Sequence, residues 1–408
     1  MSIKLFGGFG VEIEYMIVDS STLNVKPVAD KLLEQLAGEL VNETVLNSIG
    51  VSNEFVLHVI ELKTADVPPR LEGIAADFSG EINTINRTLE KFGARLMPTA
   101  AHPWMDPHKE TRLWPHDNRE IYDTYDRIFN CKGHGWGNLQ SVHLNLPFHG
   151  EEEFVKLHSA IRLLLPVMCA LSASSPVLDG VKSGFLDTRM EYYRTNSSII
   201  PSVTGDVVPE PVRSIHEYKS NILEKMYMDT APYDPEGILR DEWLNARGAI
   251  ARFDRNAIEI RVLDTQENPR ADLAVCALIS SALQKITANT WGNVDEQLSF
   301  DNKYLFSLFQ KVIKEAHLAE INNRDYLKAL GFPEKKSTAG ELWQHLYETS
   351  MLGATRDEWE KPLNTIFNKG PLAARILKSL GNDLKRERLF EIYAALCDSL
   401  ENDTIFHG

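Results

Sequence analysis

The stretch FGVEIEYMIV at residues 9–18 decides the fold, because apolar and polar side chains alternate along its centre. The odd-numbered residues from Val11 to Ile17 are all apolar, as expected for the buried face of a β-strand. Glu12 and Glu14 would project from the opposite face, about 6.8 Å apart along the chain. The pattern predicts a strand with one face in a core and two carboxylates side by side on the other.

Three more stretches combine strand-like apolar residues with polar ones. They are NEFVLHVIELKT at 53–64, SVHLNLPF at 141–148 and ARFDRNAIEIRVLD at 251–264. Their polar residues are Glu54 and Glu61, then His143 and Asn145, then Glu259 and Arg261. If the four stretches meet in one sheet, one sheet face is apolar and covered by helices. The other face then gathers carboxylates, an imidazole, an amide and a guanidinium group.

A face this rich in carboxylates predicts a metal site. Any one of these pairs alone would be the solvated face of an antiparallel sheet. Such a face usually mixes lysine with glutamate, however, and Lys63 is the only lysine on these stretches. Clustered carboxylates repel one another unless cations bridge them. Carboxylate and imidazole ligands without cysteine suit Mg²⁺ or Mn²⁺.

Arginines supply a second set of candidate site residues. Arg189 and Arg194 lie in SGFLDTRMEYYRTN, and Arg252 and Arg255 precede Arg261 in the last stretch. Guanidinium groups bind phosphate and carboxylate oxygens with two hydrogen bonds. Surface ion pairing stays open as the alternative for Arg194 and Arg255. There is no G-x-x-x-x-G-K-[ST] motif, so any phosphate would be held by metal and arginine.

Composition limits the classes of partner. The chain has 408 residues, 43 basic and 58 acidic, a net charge of −15 and a pI near 5.3. This balance disfavours nucleic acid and anionic membranes as partners. The strongest apolar run, at 163–171, is about half the length that a bilayer requires. The amino-terminal residues lack a signal-peptide pattern. The four scattered cysteines fit a reduced cytosol, so we expect a cytoplasmic protein.

The pattern along the chain predicts an α+β fold with a mainly antiparallel sheet. Helices are expected at 28–39, 70–92, 117–129, 151–173, 212–228 and 271–290, further strands at 94–100 and 249–263, and a Pro-rich loop at 199–211. Beyond residue 294 the segments 301–319, 339–351, 356–367 and 371–401 are helix-patterned, and strand signals vanish. We therefore divide the chain into a body at 1–293 and a helical carboxy-terminal region at 294–408 packed on it.

The order of these motifs resembles one known family. GVEIEYMIVD, the segment ending in IELKT, SVHLNLPF, ALSASSPVLDG with SGFLDTRMEYYRTN, and ARFDRNAIEIRVLD occur in the order seen in glutamate–cysteine ligases, with the type-2 group as the nearest. More broadly they resemble carboxylate–amine ligases with a glutamine-synthetase-like fold. The resemblance covers residues 7–290.

The resemblance implies an ATP-dependent ligase with two or three Mg²⁺ or Mn²⁺ ions over a curved, mainly antiparallel sheet that has helices on one face. By position, the metal ligands are implied to be Glu12, Glu14, Glu54, Glu61, His143 and Glu259. Arg261 is similar to the family's phosphate-binding arginine, with Arg252 assisting it. Arg189 stands where relatives hold a substrate carboxylate or a transferring phosphate. Many type-2 members carry a second histidine two residues after the first, where this chain has Asn145. The resemblance implies that the residue at this position contacts the nucleotide.

The implied reaction joins a carboxylate to an amine such as cysteine through an acyl phosphate, as in glutathione biosynthesis. The expected carboxylate is the γ-carboxylate of glutamate. A closing loop would exclude water, and the 199–211 segment is our candidate for it. Two alternatives are kept: a guanidino-kinase-like phosphotransferase, and a non-catalytic metal- or ligand-binding relative. The expected partners are small molecules and a possible second copy of the chain. Apolar stripes that could serve such an interface are formed by Trp343, Leu346, Tyr347, Leu389, Ile392 and Tyr393.

Overall fold

An antiparallel sheet organises the chain in the computed structural model, which describes residues 3–408 apart from the side chains at positions 354 and 355. The strands are β1 Gly10–Asp19, β2 Glu43–Leu46, β3 Ile49–Asn53, β4 Val59–Thr64, β5 Ala94–Met97, β6 Ser141–Pro147, β7 Val177–Leu178, β8 Val181–Lys182, β9 Ala249–Arg252, β10 Ala257–Asp264, β11 Glu320–Ile321 and β12 Ser337–Thr338. The main sheet has the order β2-β3-β4-β1-β6-β10-β9, with β5 also paired to β1. The predicted α+β class is confirmed.

Helices surround this sheet and make up most of the carboxy-terminal region. They are α1 Ala29–Ala37, α2 Ile74–Leu89, α3 Pro107–Glu110, α4 Arg119–Phe129, α5 His134–Gly137, α6 Gly150–Ser172, α7 Thr188–Asn196, α8 Pro201–Thr204, α9 Ile215–Tyr218, α10 Lys225–Thr230, α11 Pro269–Thr287, α12 Val294–Leu298, α13 Asn302–Glu315, α14 Arg324–Ala329, α15 Ala339–Ser350, α16 Ala354–Lys369, α17 Leu372–Leu380 and α18 Arg386–Glu401. Single turns of 3₁₀-helix lie at Glu90–Phe92, Glu242–Leu244 and Ala316–Leu318, and a π-helical turn lies at Lys219–Glu224.

Strand β1 lies at the centre of the sheet and has the two faces that its alternation predicts. Val11, Ile13 and Tyr15 are fully buried in one core cluster with residues of α2, α6 and α11. Strands β4 and β6 pair with β1 on either side. Glu12 and Glu14 therefore project from the opposite face, between two neighbouring strands.

Helix α6 is the apolar centre of the helical layer. It has 23 residues and is long and apolar enough to cross a membrane, and 89% of its apolar window is buried inside the protein. It packs against β10, α11 and α13. Its apolar character is that of a core helix, because the protein itself covers it.

The predicted strand at 249–263 is a hairpin of two strands, β9 and β10. Arg252 pairs with Ala257, and the turn between them places Asn256 at a positive φ of 53°. Asparagine tolerates this left-handed conformation better than most residues, so the sequence DRN suits a tight turn. The turn brings Arg252 beside Glu259 and Arg255 beside Glu12 at the end of the sheet.

The carboxy-terminal region departs from its prediction in two details. A two-stranded pair, β11 with β12, interrupts the helices. The segment 371–401 is two helices, α17 and α18, separated at Gly381, which has a positive φ of 55°. Glycine is the residue that adopts this conformation without strain.

Helices α17 and α18 also cover part of the polar sheet face. Met16 and Val18 lie on the same face of β1 as Glu14, and they share a core cluster with Ile376 and Tyr393 of the tail. The apolar stripes predicted as a possible subunit interface are buried inside the chain, with exposures of 4% or less. Those stripes therefore offer no surface for a second copy. The division at residue 293 stays a prediction.

Candidate active site on the polar face of the sheet

A cavity of about 500 Å³ lies over the polar face of the sheet, and we call it the first cavity. Most of the predicted site residues line it: Glu12, Glu14, Glu54, Glu61, His143, Arg189, Arg252, Arg255, Glu259 and Arg261. Asn145 instead lines a second cavity of about 680 Å³, which shares Glu12, Lys63 and Arg255 with the first. Arg194 lines neither, and it pairs with Glu191 at 2.5 Å.

Strand register brings the acidic residues together. Glu12 lies opposite His143 of β6, and Glu14 lies opposite Glu61 of β4. Directly opposite residues of an antiparallel pair point to the same face and have their Cβ atoms within about 5.5 Å. The alternation in each strand thus becomes a compact two-dimensional cluster only because these strands are neighbours.

Glu12 is held by groups on β6 and the hairpin turn. His143 Nδ1 lies 2.9 Å from one carboxylate oxygen, and Asn145 Nδ2 donates to the other at 3.1 Å. The guanidinium group of Arg255 lies 3.8 Å away. Burial alone would raise the pKa of Glu12, but His143 and Arg255 lower it to about 2. Glu12 is therefore a carboxylate at neutral pH.

Glu14, Glu61 and Glu54 have the opposite tendency. The backbone N–H of Ser141 donates to Glu14 at 2.8 Å, and the Ser52 hydroxyl donates to Glu61 at 3.1 Å. Burial raises the pKa of Glu14 and raises that of Glu61 well above its usual value. Burial and the neighbouring Glu14 raise the pKa of Glu54 to about 8. Lys63 lies 3.6 Å from Glu61 and His143 lies 3.9 Å from Glu14, but burial outweighs both of these neighbours.

The donor atoms fit divalent cations. Two groups have ligand atoms within 4.8 Å of one another, Glu12 with His143 and Glu259, and Glu14 with Glu61 and His143. Carboxylate oxygens with one imidazole are the ligands of Mg²⁺ and Mn²⁺. A bound cation would add positive charge beside these buried carboxyl groups. Glu54 lines the same cavity but belongs to neither group.

Arg261 and Arg252 flank Glu259. Arg261 donates to one Glu259 oxygen from Nε at 3.0 Å and from Nη2 at 2.5 Å. Arg252 Nη1 lies 3.5 Å from the other oxygen. Although burial opposes it, Glu259 keeps the pKa of Arg261 well above its usual value. The guanidinium group therefore stays charged inside the cavity.

Arg189 is held by two hydrogen bonds to strand β10, and one of its guanidinium nitrogens lacks a partner among the described residues. Its Nε donates to Asp264 of β10 at 2.6 Å, and its Nη1 donates to the Arg261 carbonyl at 3.3 Å. Its Nη2 is buried and has no hydrogen-bond partner among the described residues, and the side chain lines the first cavity. A buried guanidinium nitrogen without a partner costs free energy, so it favours an anionic ligand.

Sequence reasoning missed the other wall of the first cavity. Phe55, Tyr122, Trp136 and Trp243 line it, and we call these four residues the aromatic wall. They come from the β3–β4 loop, α4, α5 and the 3₁₀ turn before β9. Trp136 stacks on Phe129 and also borders the cavity. The only local signal was that Phe55 follows Glu54.

The 199–211 segment does not border either cavity, which corrects its prediction as the closing loop. Val203 and Val207 are fully buried, and their carbonyls accept from the N–H groups of Ala246 and Gly248. Glu210 forms two 2.6 Å hydrogen bonds with Arg247. The prolines therefore belong to a segment packed against the chain that leads into β9.

Comparison with known structures agrees with this architecture. A glutamate–cysteine ligase from Francisella tularensis, solved in complex with AMP, superposes with a TM-score of 0.61 over 98% of this chain and 90% of the other, at 13% identity. A bifunctional glutathione synthetase from Pasteurella multocida gives a TM-score of 0.58 over 97% of this chain and 52% of the other, also at 13% identity. At this identity the likeness concerns the fold.

Sequence comparison gives the family. A protein of uncharacterised function from Archaeoglobus fulgidus is 32% identical over 97% of this chain and 99% of its own length. A Corynebacterium glutamicum protein, provisionally named glutamate–cysteine ligase 2, is 26% identical over 66% of this chain and 64% of its own length. The family model of glutamate–cysteine ligase family 2 matches residues 8–391, so this chain belongs to that family.

Proposed function

We propose that this protein is an ATP-dependent ligase that joins a carboxylate to an amine, with the γ-carboxylate of glutamate as the preferred donor. The observation that carries the proposal is the first cavity, where two acidic ligand groups lie beside Arg261 and Arg189. Family membership supports ligase chemistry, and the AMP bound to the Francisella relative supports a nucleotide co-substrate. The same proposal includes a cytoplasmic location and small-molecule partners.

Two or three Mg²⁺ or Mn²⁺ ions would be held by Glu12, Glu14, Glu61, His143 and Glu259, with Glu54 as a further proposed ligand. When bound, such ions neutralise negative charge on phosphate and carboxylate oxygens. The residues of the chain arrange these ligands before any substrate arrives, through the register of β4, β1, β6 and β10. Preorganised charges of this kind are the strongest single contribution to many enzymatic rates.

The arginines of the cavity would bind different anionic groups of the substrates. Arg261, held by Glu259, would bind the phosphoryl group that passes to the carboxylate, with Arg252 on the other side of Glu259. Arg189 lines the cavity and would orient a carboxylate of the substrate. A carboxylate is a poor acyl donor, and phosphorylation gives it a leaving group that the amine can displace.

Asn145 would contact the nucleotide. It lines the second cavity and donates to Glu12, which both cavities share. A nucleotide whose phosphates lie over the acidic cluster could extend into the second cavity, which leaves the first for the donor and the amine. Asn145 would then connect the nucleotide to the metal ligands.

A screen of ADP release tests this function. Glutamate and other carboxylates are paired with amines in the presence of ATP and Mg²⁺, and hydroxylamine is included because it captures acyl phosphates as hydroxamates. We expect ADP and free phosphate only when donor and amine are both present, and a hydroxamate with glutamate. A phosphorylated product would instead identify the guanidino-kinase-like alternative. No turnover of ATP with any pair would support the non-catalytic alternative.

A further inference from the structure

We propose that the aromatic wall binds the side chain of the acceptor amine, and that the preferred amine carries a large apolar or aromatic group rather than a small thiol. This inference rests on the proposed ligase function and names its second substrate class. The wall faces the same first cavity as the acidic cluster and the arginines. A molecule bound between the wall and the cluster is therefore within reach of both.

Three of the four rings contact one another through Phe55, and the fourth, that of Trp243, is linked to them through Tyr125. Phe55 lies 5.4 Å from Tyr122 and 6.0 Å from Trp136, measured between ring centroids. Tyr125 lies behind the wall, 5.3 Å from Trp136 and 5.9 Å from Trp243. Each of the four wall residues is only partly buried, so its ring retains open surface on the cavity side.

Two polar atoms of the wall are already used inside the protein. The Tyr122 hydroxyl accepts from Asn53 at 3.0 Å, and the Trp136 indole N–H donates to the Asn196 carbonyl at 3.3 Å. The wall therefore offers mainly ring carbon to a ligand. A thiol can make a sulfur–ring contact with such a surface, but an aromatic or branched apolar group buries more apolar area and makes more ring contacts.

The position of Glu54 indicates where the nitrogen of a bound amine would lie. Glu54 immediately precedes Phe55 of the wall and lines the same cavity as the acidic cluster. An amine whose side chain lies on the wall would place its nitrogen near this carboxyl group and toward Arg189 and Arg261. Attack on a carboxyl phosphate requires the amine and the donor to be held close together in one site.

A nucleobase is the other flat group that such a wall could hold. We assign the wall to the amine because a second cavity of about 680 Å³ is available for the base. This second cavity shares Glu12, Lys63 and Arg255 with the first. A nucleotide with its phosphates over the acidic cluster can place its base there. The donor carboxylate and the amine would then occupy the first cavity, which Arg189 and Arg261 line.

The test measures kcat/KM for 2-phenylethylamine, ethylamine, cysteine and hydroxylamine with glutamate, ATP and Mg²⁺ held constant. We expect 2-phenylethylamine to exceed ethylamine and cysteine by about tenfold or more. Trp243→Leu and Trp136→Leu should each lower the ratio of kcat/KM for 2-phenylethylamine to that for hydroxylamine by about tenfold, mainly through KM. Trp291→Leu, a half-buried tryptophan in a different cavity, is the matched control.

Each result leads to a different conclusion. If hydroxamate forms but cysteine is turned over faster than 2-phenylethylamine, the amine inference is wrong and the ligase function stands. If the two wall variants raise KM for ATP as much as KM for the amine, the wall holds the nucleobase and the inference is also wrong. If no carboxylate gives a hydroxamate or ADP, the proposed function fails and the inference fails with it.

Discussion

At the scale of single residues, Glu14 is the most informative position in the acidic cluster. It belongs to one of the two ligand groups, and it is fixed by the Ser141 N–H at 2.8 Å. Glu14→Gln keeps the shape of the side chain and the acceptor oxygen but removes the charge that a cation requires. We expect Mg²⁺-dependent turnover to be abolished while circular dichroism and the unfolding temperature show an intact fold.

The matched control for Glu14→Gln is Glu387→Gln on the exposed side of α18, which should leave turnover at the wild-type level. Isothermal titration with Mg²⁺ and a non-hydrolysable ATP analogue separates binding from chemistry. Unchanged nucleotide affinity and unchanged Mg²⁺ dependence in Glu14→Gln would contradict the metal assignment.

Arg261 tests the arrangement of the phosphate-binding charges. Lysine keeps the positive charge but loses the planar group that makes two hydrogen bonds to Glu259. Losing one preorganised charge contact costs about 2.7–4 kcal/mol of transition-state stabilisation, or about a hundred- to thousandfold in rate. We expect Arg261→Lys to lose activity in this range, mostly in kcat, in steady-state kinetics with ATP and glutamate. Normal kcat in this variant, with Arg388→Lys as the exposed control, would refute the assignment.

At the scale of elements, helix α6 carries a buried histidine among aromatic rings. His158 lies 5.5 Å from Phe154 and 5.6 Å from Tyr218, and its ring nitrogens have no hydrogen-bond partner among the described residues. Burial, with the charges of Arg162 and Arg247 and despite Glu210, lowers its pKa to about 3. The unfolded chain takes up a proton near pH 6.5, whereas the folded chain does not. This histidine therefore removes stability as the pH falls below 6.5.

His158→Phe should weaken the dependence of stability on pH. Between pH 7.5 and 5.5 the wild-type histidine costs about 1.4 kcal/mol of unfolding free energy by proton linkage, and phenylalanine removes this contribution. Urea unfolding at the two pH values measures the difference, with His216→Phe as the exposed control. An equal difference in His158→Phe and wild type would show that the folded state protonates this ring.

At the scale of the whole molecule, bound Mg²⁺ should stabilise the fold through the sheet. The ligands come from strands β1, β4, β6 and β10, so cations in the two groups together link four strands that the unfolded chain keeps apart. A ligand that binds only the folded state stabilises it by about 2.7 kcal/mol at a concentration of 100 Kd. We expect the unfolding temperature to rise with Mg²⁺ concentration and to return to its starting value with excess EDTA. Glu14→Gln should show a much smaller rise, and an equal rise in both proteins would indicate binding elsewhere.

The alternation around Glu12 and Glu14 was readable from the sequence because it is local: a period of two assigns each residue to a face without knowing the neighbouring strands. The motif order gave the family in the same way. What the tertiary structure decided depends on contacts between distant residues. The antiparallel register places Glu61 of β4 and His143 of β6 beside β1. Asp264 of β10 holds Arg189 of helix α7 by a hydrogen bond. The aromatic wall is assembled from four separate segments, and the sequence could not assign its rings to a site, since a ring looks the same in a sequence whether it faces a core or a cavity.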